Sequence, residues 1–162
     1  MAEVGRETRL RSKIERFAES YFSKKYDYII IDCCPSFSLL TINSLMAATD
    51  LVVPLQPKYL AFKGLADLGE LLGMLNRRLD PKIRMMGVLF TMYDGTAALD
   101  RAMADLLRER ITREYGDYVF PAVIHKSVAI SESEMDLPIV LRDPECSAAK
   151  AYRQNAEEIL RR

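Results

Sequence analysis

The sequence predicts an α/β fold, a parallel sheet with flanking helices, and two observations carry that prediction. Short continuous apolar runs at residues 28–31, 51–53 and 85–90 read as strands covered on both faces. Between them lie long segments whose apolar residues recur every three or four positions, the pattern of helices able to bridge parallel strands. The 162 residues hold no internal repeat, low-complexity stretch or linker, which predicts a single domain over 1–162.

The elements follow in order. Residues 6–24 read as an amphipathic helix, with Leu10, Ile14, Phe17, Ala18 and Tyr21 on one stripe. Tyr28-Ile29-Ile30-Ile31 then reads as a buried strand ended by Asp32, with Pro35 and Ser36 in the loop beyond. Residues 38–48 suit a short helix, and Leu51-Val52-Val53 a second strand stopped by Pro54. Leu65, Leu68, Leu72, Leu75 and Leu79 mark a long helix over about 60–78, broken by Pro81. A third strand covers residues 85–90 and runs into the loop Thr91-Met92-Tyr93-Asp94-Gly95. A helix over 97–115 places Leu99, Met103, Leu106, Leu107 and Ile111 inward. A fourth strand fits residues 118–124, where Pro121, unable to donate to a ladder, indicates an edge or a short strand. A polar loop over 125–146 leads to a last helix, 147–161, with Tyr152, Ala156 and Ile159 on one side.

Composition narrows the function classes. A content of 49% hydrophobic and 28% charged residues is that of a soluble globular chain. The formal charge is zero, so no global basic excess points to nucleic acid or an anionic membrane. No apolar run approaches the ~18 residues of a membrane helix, and no signal peptide is visible. Cys33, Cys34 and Cys146 have neither metal-ligand spacing nor a C-x-x-C pair. They predict a reducing, intracellular setting with thiols acting as small apolar side chains. No Ser/His/Asp set, Cys/His pair or metal cluster offers a catalytic mechanism, and Asp94 and Asp100 are expected to be solvated.

The chemistry-bearing segment is Tyr26-Asp27-Tyr28-Ile29-Ile30-Ile31-Asp32-Cys33-Cys34-Pro35-Ser36. An acid at the carboxyl end of a buried strand suits Mg²⁺ binding through water, although an Asp there also commonly caps the next turn. In parallel sheets ligands sit beyond the carboxyl ends of strands. That rule places a candidate site among residues 32–36, 54–56, 91–94 and 125–127.

This segment resembles the Walker-B region of the ParA/MinD group of deviant Walker ATPases, which reads apolar run, Asp, any residue, Pro, Pro, Ser. The resemblance continues in order through Thr41-Ile42-Asn43-Ser44-Leu45, through Leu51-Val52-Val53-Pro54-Leu55-Gln56-Pro57-Lys58-Tyr59 with Phe62-Lys63-Gly64-Leu65, and through Gly87-Val88-Leu89-Phe90-Thr91-Met92-Tyr93-Asp94. It ends with Pro138, Asp143, Ala151-Tyr152-Arg153 and Glu157-Glu158-Ile159-Leu160, covering roughly residues 8–162. Within the group the chain looks most like the ParA/Soj partition ATPases. The resemblance implies a truncated P-loop NTPase fold in which Asp32, Pro35 and Ser36 form the Mg²⁺ and switch II turn. It makes Met92, Tyr93 and His125 the pocket for the nucleotide base, and Lys126 a candidate for DNA phosphate. It further implies ATP and Mg²⁺ in the intact family, a homodimer or larger homo-oligomer, a centromere-binding partner protein and non-specific DNA, with no membrane.

The departures shape the expectation as strongly. The family's Lys-Gly-Gly-x-Gly-Lys-Thr loop holds the phosphates through backbone N–H groups and lysines, and nothing before Tyr26 resembles it. The Gly64 to Gly69 spacing is followed by Glu70-Leu71 instead of Lys-Thr and lies inside a helical pattern. Cys34 stands at the first Pro of the Pro-Pro pair, His125-Lys126 at a Pro-Arg pair, and Ala129 at an arginine used on DNA, so DNA binding is expected to be weakened. The chain alone is therefore expected to take no cofactor and to hydrolyse no ATP. A non-catalytic scaffolding remnant and a MinD-like positioning protein stay open as alternatives. The family's phosphate-loop strand flanks the Walker-B strand, so without it either the sheet closes up or a second chain fills the edge.

Overall fold

The computed structural model describes residues 5–34, 36, 38–78, 83–116, 119–133 and 137–162. Its helices are α1 (Arg9–Ala18), α2 (Leu39–Ala47), α3 (Tyr59–Arg78), α4 (Ala98–Tyr115), α5 (Val128–Ser133), α6 (Ile139–Arg142) and α7 (Ser147–Arg161). Its strands are β1 (Asp50–Leu55) and β2 (Arg84–Phe90), neighbours in one sheet. The Arg84 N–H donates to the Thr49 carbonyl and the Thr91 N–H to the Leu55 carbonyl, so the two strands run parallel with α3 as their connection. The expected α/β architecture is thus present. The chain groups into two compact units, Met1–Leu51 with Glu70–Arg84, and Val52–Gly69 with Met85–Arg162.

In the first unit, Leu45, Met46, Leu71 and Leu75 form the buried cluster, with Ile42, Leu51 and Ile83 packed against it. Asn43 ties the N-terminal segment to α2. Its amide donates to the Arg6 carbonyl (2.8 Å) and the Leu39 carbonyl (2.9 Å), and its oxygen accepts the Leu10 N–H (3.3 Å). The predicted helix over 6–24 is broken into a 3-10 turn at Arg6–Thr8, α1, and a second 3-10 stretch at Tyr21–Lys25. Its apolar stripe is only partly covered, and Tyr21 is exposed.

The predicted buried strand at residues 28–31 is not one. The backbone there forms no assigned strand, and Ile30 is 92% exposed. The reason is the one that makes sheets cooperative: an apolar run becomes a strand only when a neighbour supplies its ladder, and none of the described residues does so. Neither Cys33 nor Cys34 serves as an interior apolar side chain; both are exposed.

In the second unit, Leu65, Val88, Phe90, Ala104, Leu107, Ile111 and Val119 form the core, joined by Val53, Leu55 and Phe62. Full burial of such side chains stabilises the fold by roughly 1.5–3 kcal/mol each. Pro54 lies inside β1 instead of ending it. Leu55 presents its carbonyl to β2, so the adjacent residue points to the opposite side, where a missing N–H breaks no bond. Residues 119–125 run beside β2 as parallel bridges, Val88 with Val119 and Tyr93 with His125, instead of a continuous strand. The Phe120 N–H donates to the Val88 carbonyl and the Ile124 N–H to the Phe90 carbonyl, so the segment bulges past Pro121 between them.

Helix α4 buries Asp100, Ala104, Leu107 and Ile111, while Leu99 and Leu106 are exposed. Two adjacent stripes share one helical period, and tertiary packing selected the neighbouring one. Asp100 is 2% exposed and accepts the Lys58 ammonium at 2.5 and 2.6 Å, so it is not solvated. In α7 the buried positions are Ala148, Ala149 and Asn155, and Tyr152 and Ala156 are exposed. The Cys146 sulfur accepts the Ala149 N–H at 3.3 Å and caps that helix. Arg162 closes the end of the unit: it donates to the Met86 carbonyl (3.0 Å), pairs with Glu158, and stacks over Phe120. The predicted polar loop over 125–146 contains the short helices α5 and α6. Leu79, Pro81 and residue 118 lie outside the described residues.

Candidate nucleotide-base cleft

The second unit carries a cleft of about 630 Å³ at the carboxyl end of β2. Tyr93, Asp94, Gly95 and Thr96 line one side, and His125, Lys126, Ser127 and Val128 the other. The two sides are stitched by backbone: the Tyr93 N–H donates to the Ile124 carbonyl (3.2 Å) and the Lys126 N–H to the Tyr93 carbonyl (3.0 Å). This pairing sets the Tyr93 and His125 rings 5.2 Å apart at 57°. The two rings form a tilted aromatic contact at the cleft, and aromatic side chains of this kind can pack a flat, aromatic ligand.

The loop beside them is a hydrogen-bonded turn. The Asp94 carboxylate accepts the Thr96 hydroxyl (2.6 Å) and the Thr96 N–H (3.0 Å). Arg101 reaches back from α4 to the Gly95 carbonyl (2.8 Å) and the Thr96 carbonyl (2.9 Å). The Thr96 hydroxyl, then its backbone N–H and that of Ala97, with the Lys126 charge, hold the Asp94 carboxyl below the ordinary aspartate value. Gly95 sits where a Cβ would come within 3.3 Å of the His125 ring and 3.4 Å of the Tyr93 ring. A side chain there would press on the pair. Met92 holds a left-handed backbone (φ 51°), uncommon for a side-chain-bearing residue and a mark of local strain.

The structure thus brings Tyr93, His125 and Lys126 together in one cleft. Met92 adjoins it in sequence, is 55% exposed, and does not line it. Asp32 and Ser36 belong to the first unit and are exposed. There the Ser36 N–H donates to the Cys34 carbonyl (2.7 Å) and the Ser36 carbonyl accepts the Thr41 hydroxyl, so the turn leads directly into α2. Pro35 lies outside the described residues. Thr96 and Arg101, which brace the cleft loop, were missed in the sequence; the Asp-Gly turn signal with Thr two residues after the acid was the available cue.

Among the described residues no three His, Cys, Asp or Glu side chains cluster as a metal site. No described helix is long and apolar enough to cross a membrane. A nucleotide fits these residues only in part. The cleft rings are of a kind that can pack a flat base, and the sequence of the 162 residues contains no glycine-rich phosphate loop. In the first unit, taken by itself, the exposed Asp32 carboxylate is chemically able to hold a hydrated Mg²⁺. No hydrolytic step is derived from them.

Comparison with known proteins supplies the relatives. Residues 1–85, just over half of the chain, match the AAA domain model AAA_31. The chromosome partitioning protein ParA of Caulobacter vibrioides is 34% identical over 158 residues, covering 97% of this chain and 57% of that protein. The sporulation initiation inhibitor protein Soj of Bacillus subtilis is 35% identical over 157 residues, covering 96% and 58%. The chain therefore spans a little over half the length of these curated relatives. Cobyrinic acid a,c-diamide synthase from Mycobacterium smegmatis, solved with ADP and magnesium, superposes with a TM-score of 0.73 at 28% identity, over 99% of this chain and 55% of that one.

Proposed function

This chain belongs to the AAA-domain family, among relatives named ParA and Soj, and from that membership we propose that it is part of a ParA-type chromosome or plasmid partition ATPase. The observation that carries the reading is the Tyr93–His125 cleft, which lies at the carboxyl end of a parallel strand, where ligands bind in open α/β sheets. In this proposal the cleft seats the adenine base, with Met92 at its margin, and Lys126 stands by for DNA phosphate. Asp32 steers Mg²⁺, with Pro35 and Ser36 forming the turn that follows. The phosphates are held by a glycine-rich loop that these 162 residues do not supply.

The whole protein binds ATP and Mg²⁺, dimerises, lies in the cytoplasm, and meets DNA and a centromere-binding protein. The 162 residues alone turn over no ATP. Phosphate release measured on this chain, beside an Asp32→Ala variant, tests the last statement. Both chains are expected at background, and turnover that Asp32→Ala abolishes would overturn it.

A further inference from the structure

Cys33 and Cys34 are adjacent in sequence and both exposed. They lie outside any helix or strand, and the Cys33 thiol donates weakly to the Ile31 carbonyl at 3.8 Å. Exposed thiols on an unladdered backbone are sterically open, and adjacency makes the second sulfur an intramolecular ligand at high effective concentration. Their ligand count decides the chemistry. Structural zinc takes four ligands, and no group of three His, Cys, Asp or Glu able to hold a metal exists among the described residues. Two soft thiolates favour soft, thiophilic centres over the hard ions that the neighbouring Asp32 carboxylate suits.

We propose that Cys33 and Cys34 form a vicinal dithiol site that captures a trivalent thiophilic metalloid of the arsenite class. The step is a ligand exchange without redox change. Each thiol replaces one hydroxyl of the trihydroxy metalloid, two metalloid–sulfur bonds form, two metalloid–oxygen bonds break, and two waters leave carrying the thiol protons. The product closes a small ring through the Cys33–Cys34 peptide. That ring stiffens the backbone immediately after Asp32 and before the turn in which the Ser36 N–H bonds the Cys34 carbonyl.

The probe is phenylarsine oxide, read by intact mass after incubation in excess glutathione. Its oxygen leaves as one water as the two sulfurs bind. One equivalent is expected to remain bound in glutathione and to be removed by dimercaptopropanol, because only a dithiol competes with a chelate. Cys33→Ser and Cys34→Ser should each lose the adduct while keeping the far-ultraviolet circular dichroism of the parent. Cys146→Ser, whose sulfur lies in the second unit, should keep it. Retention of the adduct in either single variant at the pair, its loss in Cys146→Ser, or no glutathione-resistant adduct on the parent chain would each overturn the proposal.

Discussion

Replacing Lys58 by Ala isolates the most strongly buried charge among the described residues of the second unit. Asp100 is 2% exposed, and its two carboxylate oxygens receive the Lys58 ammonium at 2.5 and 2.6 Å. The lysine side chain itself is 48% exposed. Removing one partner of a fully buried pair costs about 3–5 kcal/mol because a charge is left without compensation. Water can enter from the half-open lysine side here, which lowers the expected loss to about 2–3 kcal/mol. For a chain of this size that is a fall in Tm of roughly 4–12 °C.

The pair is asymmetric, and the asymmetry is the test. Asp100→Asn removes the buried charge, keeps an acceptor, and leaves the ammonium free to reach water, so it should cost about 1 kcal/mol or less. The double variant Lys58→Ala/Asp100→Asn should then recover most of the Lys58→Ala loss, a coupling of at least about 1 kcal/mol. Urea unfolding followed by far-ultraviolet circular dichroism measures all four chains, with an unchanged m-value as the control. Equal losses for the two single variants, or additive losses in the double, would refute the reasoning.

Three other outcomes follow from the same geometry. Leu107→Ala, at a fully buried position in the core, should cost about 2–5 kcal/mol by the same unfolding assay. Asn43→Ala removes the bonds to Arg6, Leu39 and Leu10, so hydrogen exchange should quicken through α1 more than through α4. Because the folded Asp94 carboxyl titrates below its unfolded value, its contribution to stability is present above about pH 4 and is lost as pH falls through the folded value. Thr96→Val removes the largest cause of that shift, so the Asp94 carboxyl resonance should titrate at higher pH than in the parent.

Much of the fold was legible because its signals are local. The apolar runs at residues 51–53 and 85–90 and the leucine stripe of α3 announce their period within a few residues, and the structure places strands and a helix there. The run at 28–31 carries an equally strong signal but needs a neighbouring strand that no local pattern supplies. On α4 the sequence offers two adjacent stripes, and the one chosen carries Asp100, a residue that reads as solvated until Lys58, far away in sequence, is brought to it. Tyr93, His125 and Lys126 were legible as a group because they follow strand-like segments, and parallel pairing places such ends side by side. Pro121 reads in the sequence as the mark of an edge or a short strand; the structure has isolated bridges and a bulge there, which depend on which carbonyls of β2 remain free.

The proposed base cleft belongs to a chain whose sequence contains no glycine-rich phosphate loop. Calorimetric titration of the chain with adenosine, and separately with ATP and Mg²⁺, measures the consequence directly. Weak affinities of similar size are expected for the two. ATP with Mg²⁺ binding more tightly than adenosine by about tenfold, or 1.4 kcal/mol, would contradict that expectation.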